Sequence, residues 1–202
     1  MDFLTPRDGG IARAAALVRG GHVIGFPTDT VYGLGALASH ERAVRHVFEV
    51  KGRSMSQPLI LMVADPEDLH AWAHVDERAR ELMRRWWPGP LTLVLPAKDG
   101  VRPPLASAGQ GCTIAVRIPD HPVALALLRE VGEALATTSA NRSGEPPAMT
   151  PLETAWVDGL AAVLDGGRAP GGVPSTLLDV SGGPPRVLRP GPIAEAELLA
   201  GR

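Results

Sequence analysis

The ten residues Phe26-Pro27-Thr28-Asp29-Thr30-Val31-Tyr32-Gly33-Leu34-Gly35 place hydroxyls, a carboxylate and two glycines directly after the apolar run Val23-Ile24-Gly25-Phe26. Polar groups just past a strand end face the crevice of an open α/β sheet, where ligands bind. The competing reading is a plain strand-to-helix loop whose threonines cap the next turn. Lys51-Gly52-Arg53 sets two cations around a flexible glycine without an acidic residue beside them. Arg offers a planar fork of donors to phosphate or carboxylate and Lys a mobile point charge, so the triplet suits a polyphosphate clamp. Cations also favour the negative end of a helix for its own sake. Thr137-Thr138-Ser139-Ala140-Asn141-Arg142-Ser143-Gly144 follows an apolar strand, and an anion can approach the N–H groups of such a small-residue loop closely. Pro174-Ser175-Thr176 and Arg189-Pro190-Gly191-Pro192 add further hydroxyls and a cation in rigid frames; each of these segments also reads as an ordinary turn. Thr113 and Arg117 are four apart in a strand-like run and share a face. An Arg there is costly to bury unless it meets an anion, and its alternative is to snorkel to solvent at a sheet edge.

Several familiar chemistries are missing. The chain has no G-x-x-x-x-G-K-[ST], G-x-G-x-x-G, H-E-x-x-H or G-x-S-x-G segment. His70 and His74 have metal-ligand spacing on a helix but no third ligand nearby, which makes them exposed polar residues. Cys112 reads as a packing residue rather than a nucleophile. Trp86 and Trp87 read as core and rim.

The elements that must position these groups alternate between helix and strand patterns almost throughout, which predicts an α/β fold with a twisted, mixed sheet and flanking helices. Helices are expected over residues 11–19, 41–50, 76–87 and 194–200, with Gly52 ending the second. Val123, Ala124, Leu127, Leu128 and Val131 mark another. Strands are expected over 23–26, where Pro27 stops the ladder, and over 59–63, 91–95, 113–118, 135–138, 161–164, 176–180 and 186–188. The turn Trp87-Pro88-Gly89-Pro90 ends the helix over 76–87. The Pro/Gly-rich stretch 96–111 is a candidate lid.

With 202 residues, 45% apolar and 21% charged, the chain fits one large domain that buries its own core, while 23 Gly and 20 Pro imply many turns. A formal charge of −2 gives no global positive field to attract nucleic acid or anionic lipid, so any anion site must be local. One cysteine excludes an internal disulfide and a cysteine-rich zinc site, and a reducing cytoplasm fits best. No run approaches the roughly 20 apolar residues of a membrane helix, so no membrane partner is expected.

Taken in order, Pro27-Thr28-Asp29-Thr30-Val31-Tyr32-Gly33-Leu34, Lys51-Gly52-Arg53, Pro58-Leu59-Ile60, Trp87-Pro88-Gly89-Pro90-Leu91-Thr92, Val116-Arg117-Ile118-Pro119, Thr138-Ser139-Ala140-Asn141-Arg142-Ser143-Gly144, Ser175-Thr176 and Arg189-Pro190-Gly191 resemble the YrdC-like threonylcarbamoyl-adenylate synthases. The resemblance runs along nearly the whole chain and implies a single YrdC-like domain over 1–202, with its sheet curved around a deep cationic cavity. It also implies an activity: L-threonine, bicarbonate and ATP give threonylcarbamoyl-adenylate and pyrophosphate, for later transfer to tRNA by partner proteins. By resemblance, Lys51 and Arg53 are catalytic and hold the triphosphate with Mg²⁺ bridging its oxygens, while Thr113, Ser139, Asn141 and Arg189 contact the nucleotide. Thr30, Arg117, Thr137 and Ser175 surround threonine. After Pro58-Leu59-Ile60, many relatives carry a histidine where this chain has Met62. Three alternatives stand beside this reading: an RNA-binding or ribosome-maturation module of the same fold, the carbamoyl-transfer role of the domain in hydrogenase maturation proteins, and a paralogue with a drifted substrate. The cysteine count argues against the second of these, and the net charge against the first.

Overall fold

Glycine and proline interrupt the apolar runs early, so the chain builds many short strands. In the computed structural model, which describes residues 1–101, 104–107, 111–142 and 144–199, ten of them join one sheet. In chain order these are β1 (Asp2–Leu4), β2 (Ile24–Phe26), β3 (Gly33–Leu37), β4 (Ile60–Met62), β5 (Leu91–Pro96), β6 (Thr113–Arg117), β7 (Leu135–Ser139), β8 (Ala162–Leu164), β9 (Thr176–Asp179) and β10 (Arg186–Arg189). Across the sheet they run β1-β8-β2-β3-β7-β4-β6-β5-β9-β10. The pairs β1/β8, β2/β8, β4/β6 and β5/β9 are parallel and the others antiparallel, so the expected mixed, twisted α/β sheet is found.

Five helices flank it: α1 (Ile11–Arg19), α2 (Glu41–Lys51), α3 (Glu77–Trp86), α4 (Pro122–Val131) and α5 (Glu195–Leu199). Each boundary has a local cause. In α2, Ala43, Val44, Val47, Phe48 and Lys51 form the buried stripe, and Gly52 ends the helix at φ 61°, a conformation open to a residue without Cβ. Asp76 caps α3 by accepting a hydrogen bond from the N–H of Ala79, and Trp87 leaves the helix in extended conformation before a cis Trp87–Pro88 bond. Pro122 opens α4, where its missing N–H costs nothing, and Gly132 closes it.

The two faces of the sheet are treated differently. On one, Leu34, Ala36, Leu61, Leu93, Leu95, Ile114 and Val116 are sealed under the main core together with residues of α2 and α3. At about 1.5–3 kcal/mol for each large aliphatic side chain removed from water, this layer is the principal source of stability. On the other, α1 and α4 cover Ile24, Phe26, Met62, Leu135 and Leu164 in a second apolar cluster. That cover is incomplete: Ile60, Thr113 and Ala115 on this face are only half-buried, whereas Leu61, Ile114 and Val116 between them are buried. The uncovered part of this face lies beside a hollow.

Two strands depart from the expectation. Residues 33–37 form β3, which no expected strand covered; the competing reading of residues 26–35 as a strand-to-helix loop fails, because the segment is a β2/β3 connection. Gly33-Leu34-Gly35-Ala36-Leu37 lacks the β-branched and aromatic residues that mark strands, and it is held extended by pairing with β2 on one side and β7 on the other. β1 was unmarked because only Leu4 of its three residues is buried. In the stretch 96–111, Val101, Leu105 and Ala106 pack in the main core, and no described residue of it lines the hollow. Residues 102, 103 and 108–110 of the candidate lid lie outside the described residues, as does Ala200 at the expected end of the last helix.

Candidate functional site

The hollow is an open crevice of about 560 Å³ of atom-free space, solvent at its mouth included, lined from seven parts of the chain. Thr28, Thr30 and Tyr32 come from the β2/β3 loop, Arg53 and Pro58 from the segment after α2, Ile60 and Met62 from β4, Arg117 from β6, Thr137 and Ser139 from β7, and Ser175 and Arg189 from around β9 and β10. The register explains the convergence. Ile60 pairs with Thr137 and with Ala115, Met62 with Arg117, and Gly33 with Ser139, so side chains far apart in sequence stand in adjacent rows of one face.

Arg117 is the most buried charge in the crevice. It is 2% exposed on an interior strand, which rules out the snorkelling alternative. Its Nη2 donates to Asp29 Oδ1 at 2.6 Å, its Nη1 to Thr30 Oγ1 at 2.9 Å and its Nε to the Gly89 carbonyl at 3.0 Å. The Trp87-Pro88-Gly89-Pro90 turn is thereby fastened to β6, and Gly89 N–H returns a bond to the Ile118 carbonyl. Arg189 donates to the Ser175 carbonyl through Nε at 3.2 Å and Nη2 at 2.9 Å, and Nη2 also reaches Ser175 Oγ at 3.2 Å. Ser175 Oγ in turn lies 2.7 Å from Thr92 Oγ1. Arg53 is bound to the carbonyls of Gln57 and Pro58. Burial depresses the pKa of all three guanidiniums, and Arg189 is lowered further by the charges of Arg117 and Arg53. All remain protonated, because an arginine does not titrate in a protein. The described residues lining the crevice include three arginines and no Asp or Glu.

Hydroxyl groups are fixed with equal economy. Thr28 Oγ1 accepts from the N–H groups of Thr30 and Val31 and donates to the Val31 carbonyl, which tightens the turn that presents Thr30. Thr137 Oγ1 donates to the Ile60 carbonyl. Tyr32 is fully buried, donates to the Gly167 carbonyl at 2.7 Å and accepts from Gly166 N–H; burial is the main reason its pKa is pushed up to about 12.

Of the ten residues singled out from sequence, Thr30, Arg53, Arg117, Thr137, Ser139, Ser175 and Arg189 line this one crevice. Lys51, Asn141 and Thr113 do not. Lys51 is buried and its Nζ donates to Asn141 Oδ1 at 3.2 Å, while Asn141 Nδ2 donates to the carbonyls of Arg142 and Glu145, which fixes the amide orientation. The Lys51 pKa is lowered to about 8, first by burial and then by Arg53, with Glu145 acting the other way. Glu145 is thus an acidic neighbour that the triplet Lys51-Gly52-Arg53 lacks in sequence. Thr113 exchanges bonds with Ser107. Ser143 of the 137–144 segment lies outside the described residues.

Sequence reasoning gave no role to Thr92, Tyr32 or Thr138, nor to Asp29 as a partner of Arg117. The Thr92–Ser175 pair spans 83 positions, and no local signal encodes it. His70 and His74 are exposed as expected, and among the described residues no group of three or more His, Cys, Asp or Glu could hold a metal ion. Cys112 is half-buried against the main core.

A mixed sheet with one face left partly open, and guanidinium and hydroxyl groups converging on that opening, make an α/β fold with a crevice of the kind in which ligands are received. The family model for Sua5/YciO/YrdC domains, described as "Telomere recombination", matches residues 16–191. The chain belongs to this family. It is 45% identical over 202 residues to a Bacillus subtilis protein named threonylcarbamoyl-AMP synthase, covering 98% of this chain and 58% of that one. A structure of Pyrococcus abyssi Sua5 complexed with L-threonine superposes with a TM-score of 0.90 at 39% identity, covering 98% of this chain and 59% of that one. Escherichia coli YciO superposes with a TM-score of 0.86 at 27% identity, and 98% of each chain is covered. The chain therefore spans a little over half the length of the B. subtilis and P. abyssi proteins.

Proposed function

We propose that this chain is a nucleotidyltransferase that forms threonylcarbamoyl-adenylate and pyrophosphate from L-threonine, bicarbonate and ATP, in the cytoplasm, for transfer by partner proteins to tRNA. The observation that carries this reading is the convergence of Arg53, Arg117 and Arg189 with Thr30, Thr137, Ser139 and Ser175 in one crevice. The names of the B. subtilis relative and of the threonine-bound P. abyssi structure support it.

The chemistry asks for what such a crevice can offer. The threonine amine and bicarbonate give a carbamate and water; a carbamate oxygen then attacks the α-phosphorus, and the bond to pyrophosphate breaks. Both reactants are anionic, so alignment and charge neutralisation matter more than a strong base. In this reading Arg117, anchored on Thr30 and Gly89, takes the threonine carboxylate, with Thr30, Thr137 and Ser175 around it. Lys51 and Arg53 take the triphosphate at the edge of a cationic cavity, with Thr113, Ser139, Asn141 and Arg189 along the nucleotide. Lys51 donates to Asn141, which couples these two residues, and the ammonium keeps two further N–H donors for a phosphate. The described residues offer no protein-built metal site, and Mg²⁺ enters this scheme only as the companion of the triphosphate. No covalent enzyme intermediate is required.

The test is pyrophosphate release by the purified protein. Release that depends jointly on ATP, bicarbonate and L-threonine, and that falls by a large factor in Lys51→Ala and Arg53→Ala, supports the reading. Threonine-independent release, or near-normal turnover in both variants, rejects it. In calorimetry Arg117→Ala should weaken threonine binding more than ATP binding; the reverse result moves Arg117 to the nucleotide.

A further inference from the structure

We propose that Asp29 is a positioning residue that sets how much of the Arg117 charge is available to an incoming carboxylate, and so sets the affinity of the crevice for its amino acid. The inference rests on the reading of that amino acid as L-threonine. Asp29 is not among the residues lining the crevice; its side chain is 12% exposed and touches Arg117, which does line it. Asp29 Oδ1 accepts from Arg117 Nη2 at 2.6 Å and also from the Asp120 N–H at 3.1 Å. With Nη1 on Thr30 and Nε on Gly89, three of the five guanidinium N–H groups are anchored in the protein, which leaves one on each Nη for a ligand.

A guanidinium this buried would be costly without a counter-charge, and Asp29 supplies it. The same carboxylate repels any second one brought to Arg117. Affinity for the amino acid is therefore held below what Arg117 alone would give, in exchange for a fold that tolerates the empty site. Both bonds end on a single oxygen, so an amide at this position can accept both while carrying no charge. Asp29→Asn thus separates the charge of Asp29 from its geometry.

The experiment is calorimetric titration of L-threonine into wild type, Asp29→Asn and Asp29→Glu, with ATP as a second titrant. Asp29→Asn is expected to bind L-threonine about tenfold more tightly, on the scale by which a neighbouring charge shifts an ionic equilibrium. Asp29→Glu keeps the charge but moves the carboxylate by one methylene, so it should bind more weakly. ATP affinity should change less than L-threonine affinity in both. A merely structural Asp29 predicts weaker binding in both variants, and that result overturns the proposal, as does unchanged affinity in Asp29→Asn. If Asp29→Asn is unfolded when empty, added L-threonine should restore its circular dichroism by supplying the missing counter-charge, and failure to do so also overturns it. Absence of L-threonine binding in the wild type would instead reject the amino-acid reading on which the proposal stands.

Discussion

Replacing Gly191 by Ala should damage the site without removing any functional group. A Cβ built on Gly191 would lie 2.4 Å from Thr176 N, 2.6 Å from the Pro174 carbonyl oxygen and 2.7 Å from the Ser175 carbonyl carbon. All three are backbone atoms, so no side chain can rotate away and the two turns must separate. Overpacking usually costs about 1–3 kcal/mol, and a clash with three fixed atoms belongs near about 3 kcal/mol. In a chain of this size that lowers the melting temperature by about 6–12 °C. The turn that moves carries Arg189, whose three bonds to Ser175 hold one wall of the crevice. Misplacement by about 1 Å can cost about 100-fold in turnover, and threonine-dependent pyrophosphate release should fall on that scale. Gly182→Ala is the control, because a Cβ there meets nothing within 4 Å and its φ is not left-handed. It should be neutral or slightly stabilising. Thermal melts in which Gly191→Ala stays within about 2 °C of Gly182→Ala, with turnover intact, would refute the reasoning.

Lys51 should leave a signature in the pH dependence of stability. Its folded pKa of about 8 lies below its ordinary value, so between about pH 8 and 10.5 the unfolded chain binds the extra proton and stability rises with pH. Urea unfolding at several pH values should show that slope in the wild type and lose it in Lys51→Met. By the same titration, ATP affinity should decline above about pH 8 in the wild type only. Tyr32→Phe removes the hydroxyl that bridges the Gly166 N–H and the Gly167 carbonyl; Gly167 is exposed and water can replace the lost donor, so the change should cost about 0.5–1.5 kcal/mol in urea unfolding. A cost near zero would mean that the bridge is dispensable. Cys112→Ser should leave turnover unchanged, and a dead variant would reopen thiol chemistry.

The helices were legible because their signals are local. The α2 stripe ending at Gly52, the Asp76 cap of α3 and the Pro122-to-Gly132 span of α4 each lie within one or two turns of sequence. Interior strands such as β5 and β6 announced themselves as largely apolar runs. The resemblance carried by the order of the motifs also singled out seven side chains that share a crevice. What no local pattern carried was pairing. β3 is a strand only because β2 and β7 hold it on both sides, and β1 only because β8 lies beside it. Arg117 inside an apolar run left two outcomes open in sequence, and its place on an interior strand chose burial, with Asp29 from 88 positions away as counter-ion. Likewise Glu145 reaches the field of Lys51, and Thr92 binds Ser175, through sheet order alone. Hydrophobic periodicity, caps and turn chemistry act over a few residues and are written in the chain. Cross-strand register and the partner of a buried charge depend on which distant segments the fold brings side by side, and the tertiary structure alone decides them.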